Sequence, residues 1–376
     1  MKISKRAYAI LALLPLLLMA SSVATAATAA TAASNSFPAG AVFTMTNSPS
    51  GNSVLVFDRG TGGALTYSGS FPTGGLGLTG LTGSNQGGLA LSPDGSWLFV
   101  VDAGSDQVSV FHVNHGHTTS LTRTDVTSSF GDSPISVTIF GRWVYVLDAG
   151  TSTSPGNIAG FYLTSRGGLV HIPGSIEPLS GVAAPAQISF NPAGTVLAVT
   201  EKSSSLIDIY RVNIFGSASS PVTSPSNGGT PFGFAFDSAG HLIVSEASSG
   251  SLSSYSVSRS GSTSVISGSI PDGGLAPCWV VVTSDGSLAF TTNAHSNTIS
   301  SYSVGPHGTL TLLQGTAAST DLTDTDMALS QNSRFLYVYD AGANEIQAFM
   351  VHADGSLSWI QTVSGLAAGG DGLAAN

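Results

Sequence analysis

An all-β ring of repeated units is predicted by three observations on the sequence. Six segments share one pattern: an apolar run, a tight turn, a second apolar run ending in a polar acceptor, a loop, then a third run. Their turn residues Gly95, Gly141, Gly194, Gly240, Gly286 and Ser333 are separated by 46, 53, 46, 46 and 47 residues. A period in the mid-forties with several strands per unit is that of a β-propeller blade. The seventh unit is split: AVFTMTNSPSGNSVLVFD near the N-terminus lacks a first run, and GDGLAAN at the C-terminus resembles the missing run. The prediction is a seven-bladed β-propeller closed by pairing of the two terminal segments in one blade. A β-sandwich of short strands is the alternative fold, but it leaves the split repeat unexplained.

Composition agrees. The chain has 376 residues, 46 of them Gly, and only 9 % are charged. An average soluble domain is about 25 % charged. Hydrophobic residues make up 42 %, enough for a large core. The formal net charge of −10 argues against nucleic-acid binding. A single cysteine, Cys278, excludes an intrachain disulfide framework and a two-cysteine metal site. Its bland reading is a buried, inert thiol.

The first element is a leader. Lys2, Lys5 and Arg6 precede an apolar stretch from Ala7 to Ala20, and Ala24-Thr25-Ala26 forms a small-residue cleavage site. The stretch is short for a membrane span of ~20 residues. The expected organisation is 1–26 signal peptide, 27–40 short linker and 41–376 propeller, exported to the periplasm or beyond as a monomer. Removing the leader leaves eight basic against 21 acidic residues.

The blades follow. Asp94-Gly95, Ala193-Gly194, Ala239-Gly240 and Asp285-Gly286 supply hairpin turns that need positive φ. The second runs, such as Trp97-Leu98-Phe99-Val100-Val101, do not alternate apolar and polar, as expected of strands covered on both faces.

Candidate functional residues come from two equivalent positions of the repeat. The second runs close with Asn47, Asp102, Asp148, Glu201, Glu246, Asn293 and Asp340, all carriers of side-chain oxygen. They read either as caps on the loop amides that follow or as an acidic ring at the channel mouth. The first runs open on Gln187, Phe232, Cys278-Trp279, Asp326 and Asp371. Aromatic, amide and carboxylate groups in one mouth suit a small-molecule pocket. Glu246, Glu201 and Asp326 are the expected acid and base groups. Gln187, Lys202, Phe232, Trp279, Asn293 and Asp371 are the expected substrate contacts. No cofactor is required, although a divalent cation on the axial acidic ring is conceivable chemically. The cluster His112, His115 and His117 reads as a solvated rim loop. No GxSxG elbow or HExxH motif occurs.

The split blade, the unit SPDG-x-x-LFV-x-D (Ser92 to Asp102), VTEKSSSLIDIY (Val199 to Tyr210) and SEASSGSLSSY (Ser245 to Tyr255) together resemble the seven-bladed propeller lactonases. That family includes 6-phosphogluconolactonases and carboxymuconate-cyclising enzymes. The resemblance implies hydrolysis of a lactone or similar small molecule at the axial mouth. It also implies a Pro-Arg-His run opening an inner strand and a Glu after the next strand. Here the run is Pro231-Phe232-Gly233, Glu246 stands at the Glu position, and Gln187 stands near the His position. The alternative is a non-catalytic propeller binding a glycan, peptide or protein partner on the same face.

Overall fold

A computed structural model describes residues 37–81, 83–180 and 184–376. The leader and most of the predicted linker lie outside them. No helix occurs among the described residues, so none is long and apolar enough to cross a membrane. The strands form seven antiparallel sheets, one per blade, six of four strands and one of five. In the third blade the outer position is shared by Leu169–His171 and Glu177–Pro178, both paired with Asn157–Leu163.

The inner strands are Asp371–Ala375, Leu89–Leu91, Pro134–Phe140, Pro185–Phe190, Pro231–Phe236, Pro277–Val282 and Asp324–Leu329, for blades 1 to 7. Four of them begin at a proline. Proline fits the first residue of a strand because no ladder partner needs its missing N–H there. A bulge follows each of these prolines and turns the incoming loop into the strand. The second strands are buried on both faces, and those of blades 4 to 7 are buried at every residue. This explains the uninterrupted apolar runs in the sequence. Tyrosines fill the spaces between blades and point their hydroxyls at the neighbouring blade. Tyr145 donates to the Gly216 carbonyl at 2.7 Å and Tyr337 to that of Gly63 at 2.9 Å. A buried Tyr keeps its ring apolar and its hydroxyl partnered this way.

Blade 1 closes the ring as the split repeat predicts. Asp371–Ala375 pairs antiparallel with Gly40–Met45, matching Thr44 to Leu373 and Phe43 to Ala374. Arg59 fastens the end by donating to the carbonyls of Ala39 at 2.6 Å and Asn376 at 2.9 Å. The Asn376 side chain accepts from the Ala41 amide at 2.6 Å. Closure removes the free edges that an open arc would present.

Deleting 371–376 removes the inner strand of blade 1 and the partner of Arg59. The shortened chain is expected to lose its cooperative thermal transition and to aggregate, read by far-UV circular dichroism and light scattering. An unchanged midpoint would show that the closing strand is dispensable.

Candidate functional site

The residues that close the second strands are buried, and the three expected site residues among them, Glu201, Glu246 and Asn293, are fully so. In blades 2, 4 and 5 these side chains hold the loop that crosses from the blade before. Asp102 accepts from Thr73 at 2.6 Å and from Asn52 at 3.0 Å, both ahead of blade 2. Glu201 accepts from the Ser180 amide at 3.0 Å. Glu246 accepts from the Gly228 amide at 2.7 Å and the Ser226 hydroxyl at 3.0 Å. A second set of partners comes from the third strand of the same blade. Ser109 donates to Asp102 at 2.5 Å, Ser251 to Glu246 at 3.0 Å, and Asn293 donates to Ser300 at 2.8 Å. Tyr255 and Ser269 complete five donors on Glu246, each at 3.1 Å. Glycine is required where the crossing loop touches the acceptor. A Cβ on Gly75 would lie 2.5 Å from Asp102, and one on Gly228 would lie 2.2 Å from Glu246.

The inner strands diverge around the axis and are stitched by side chains. Gln187 accepts from the Phe234 amide at 2.7 Å, linking blades 4 and 5. Asp326 accepts from the Leu373 amide at 3.0 Å, linking blades 7 and 1. Burial raises its carboxyl well above the usual range, and neighbouring Asp371 adds to the shift. Asp371 itself is pushed up to about 7 by burial.

The loop-side mouth is crossed by the segment Ser84–Gly88, which leads into the inner strand of blade 2. The Gln86 amide donates to the Ala186 carbonyl at 3.0 Å. Its side chain pairs with the Val280 backbone, donating at 2.9 Å and accepting at 3.1 Å. Asn85 donates to the Ile135 carbonyl at 2.7 Å and accepts from the Trp279 indole at 2.8 Å. Gly233 leaves room for Gln86, whose Oε1 would lie 2.0 Å from a Cβ there. Blades 3, 4, 5 and 6 thus meet one strap. Below it, the opposite mouth opens as a cavity of about 400 Å³ lined by Gln86, Gln187, Phe190, Phe234, Val280 and Leu329.

Lys202 stands above the strap. It is the one lysine among the described residues. Its ammonium lies 4.8 Å from the Phe232 ring centre and donates to the Ser84 carbonyl. Burial pulls its pKa down to about 8, with Cys278 opposing the shift. Cys278 is buried, and burial pushes its thiol up to about 12, as for an inert core thiol. Phe232 packs edge-on against Trp279 at 5.2 Å.

The structure therefore brings Lys202, Phe232 and Trp279 together at the mouth, with Gln187, Asp326 and Asp371 in the wall beneath. Glu201, Glu246 and Asn293 are engaged elsewhere, on the crossing loops. Asn85 and Gln86 are the mouth residues that repeat reasoning did not single out. Their one signal was the absence of a proline at this point of the repeat, with Gly87-Gly88 following instead.

An amide at position 246 would present N–H groups where five donors need an acceptor. Glu246→Gln is expected to lower stability by about 2–4 kcal/mol, measured by denaturant unfolding; an unchanged midpoint would contradict the anchoring role. A second expectation concerns pH. Burial raises the Asp148 carboxyl to about 7, and its side chain is fully buried. An unfolded Asp titrates near ~4. Between these values the folded state holds more protons, so stability is greatest at acid pH and falls as pH rises towards about 7. The thermal midpoint should drop from pH 5 to 8, and Asp148→Asn should flatten part of that drop and raise the midpoint at pH 8.

The family model described as Lactonase, 7-bladed beta-propeller matches residues 88–263 and 272–368. No curated protein matches the chain. Among solved structures, a candidate 6-phosphogluconolactonase of Bacteroides fragilis aligns with a TM-score of 0.70 at 17 % identity, covering 90 % of this chain and 98 % of that one. The periplasmic gluconolactonase of Pseudomonas aeruginosa aligns with 0.69 at 16 %, over the same shares. Virginiamycin B lyase of Staphylococcus aureus aligns with 0.52 at 14 %, covering 77 % and 88 %. At these identities the likeness is one of fold.

Proposed function

The chain belongs to the seven-bladed β-propeller lactonase family, and on that footing we propose that it binds a lactone or similar small carbonyl compound at the loop-side mouth and opens it with Lys202. The carrying observation is the partly exposed Lys202 ammonium held over Phe232, with burial bringing its pKa to about 8. In this reading Lys202 takes the electrophilic place that the family's Arg would fill, and the Phe232 ring beneath the ammonium, backed by Trp279, orients it. The ammonium stabilises charge on the lactone carbonyl oxygen as water attacks. The ring C–O bond breaks, and the ring oxygen takes a proton from Lys202. The amine regains the proton that the attacking water loses. Lactone and water give the hydroxy acid, and the lysine is returned unchanged. A general acid with a pKa near the working pH suits this transfer. Glu201, Glu246 and Asp326 act as supports here, because their oxygens are taken by backbone and hydroxyl donors. The basic and apolar pattern of residues 1–26 supports export, and the step itself needs no cofactor.

Ligand recognition without turnover is the second reading. The Ser84–Gly88 strap favours it, because it fills the mouth and leaves a shallow seat for a glycan, a peptide or a protein loop.

A lactone panel followed by pH-stat separates the two. The hydrolase reading expects Lys202→Met to cut kcat/KM by ~100-fold or more. It also expects wild-type turnover above the uncatalysed rate to decline as pH rises through about 8. Equal turnover by Lys202→Met would remove the lysine from the mechanism. Binding with no turnover across the panel would leave recognition alone.

A further inference from the structure

Blade 7 departs from its siblings at the point where the crossing loop is anchored. In blades 2 and 5 the third strand donates hydroxyls to the acceptor, from Ser109 and Ser251, and in blade 6 Thr298 and Ser300 accept from the Asn293 amide. The equivalent residues of blade 7 are Glu345, paired in register with Asp340, and Gln347 two further on. In blades 2, 4 and 5 the crossing loop offers Thr73, the Ser180 amide, Ser226 and the Gly228 amide. The loop into blade 7 offers Asp321. Donors are thus replaced by acceptors on both sides of Asp340.

The consequence is a set of buried oxygens without donors. Asp340 is fully buried, and no N–H or hydroxyl donates to either of its carboxylate oxygens; the one side-chain contact it makes is with the Asp324 carboxyl, itself an acceptor when ionised. Glu345 Oε1 and Gln347 Oε1 are also unpartnered, at 8 % and 5 % exposure. Gln347 is tied to the cluster through its Nε2, which donates to Asp321. Asp324 lies opposite Asp340 in the sheet, and its Oδ1 is unpartnered too. Buried polar atoms are ordinarily satisfied, so five such oxygens at one place require a partner. Among the described residues no Lys or Arg forms an ion pair with any of these carboxylates.

We propose that the junction of blades 6 and 7 binds one divalent cation, calcium by its donor set, through Asp321, Asp340 and Glu345. One oxygen from each of the three lies within 4.8 Å of the others. Two ligands of a single ion at ~2.4 Å can be no further apart than about 4.8 Å. The donors are carboxylates, with a neutral amide oxygen beside them. This is the hard oxygen set that calcium takes, and its loose geometry suits ligands from a loop and two strands better than the strict octahedron of magnesium. Asp321 is exposed and marks the path by which the ion arrives. The ion would do for blade 7 what hydroxyl donors do elsewhere: tie the crossing loop to the ends of the second and third strands. This site lies at one blade junction, away from the axial position considered from the sequence.

The test uses the full chain, stripped with a chelator and titrated with calcium chloride alone. Calorimetry should show saturable uptake of one calcium per chain below about 1 mM. The thermal midpoint should rise with calcium. Asp321→Asn should weaken uptake ~10-fold or more, and relief of like-charge repulsion should keep its calcium-free midpoint at or above that of the wild type. Glu345→Gln should weaken it similarly. No saturable uptake up to ~1 mM, or uptake unaltered in both variants, would overturn the proposal. Binding of magnesium in preference to calcium would overturn the assignment of the ion.

Discussion

Blades 2, 4 and 5 depend on one kind of contact: a buried carboxylate at the end of the second strand, gripping the loop that arrives from the blade before. Sheets packed face to face gain from apolar burial, but burial alone does not fix the angle between neighbours. The crossing loops are backbone without strand partners, and buried amides need acceptors. Glu246 gathers five donors from two blades. Such a side chain welds a loop into place. The glycines beside these acceptors follow from the same contact, because a Cβ at Gly75 or Gly228 would displace the acceptor it serves. Scarce charge in the chain is therefore concentrated where it is structural.

The axis poses a different problem. Seven inner strands that splay cannot pair with one another along their length, so side chains bridge them. Gln187, Asp326 and Gln86 each reach a neighbouring amide. The strap Ser84–Gly88 does the most, since it touches several blades and roofs the mouth. This roof decides the chemistry available. It places Trp279 and Asp371 beneath the surface and leaves Lys202 on top. The residue types expected to act on substrate are thereby divided into a buried wall and one accessible cation.

Much of the architecture was legible in the sequence because it is written seven times. The split repeat located the closing strand, and apolar runs without alternation identified strands covered on both faces. The equivalent position at the second-strand ends was equally visible. Its meaning was not, since a carboxylate at a loop reads the same whether it faces ligand or loop. Donors such as Ser226 and Gly228 are commonplace residues, and only the fold brings them to Glu246. Asn85 and Gln86 were missed because they occur once, ahead of the inner strand that follows Gly87-Gly88 rather than opening on a proline. Lys202 stood out as a rare cation, but its neighbours Phe232 and Ser84 lie far along the chain. Asp321, Glu345 and Gln347 were silent for the opposite reason: each reads as an ordinary solvated side chain until set against the hydroxyls of the sibling blades.

The central claim is that the crossing loops into blades 4 and 5 are held as firmly as the strands. Hydrogen exchange followed by mass spectrometry tests it directly. The account predicts that peptides containing the Ser180 and Gly228 amides exchange only with global unfolding, at the pace of the second strands. Exchange of these amides at the rate of exposed loops, while the strands stay protected, would contradict it.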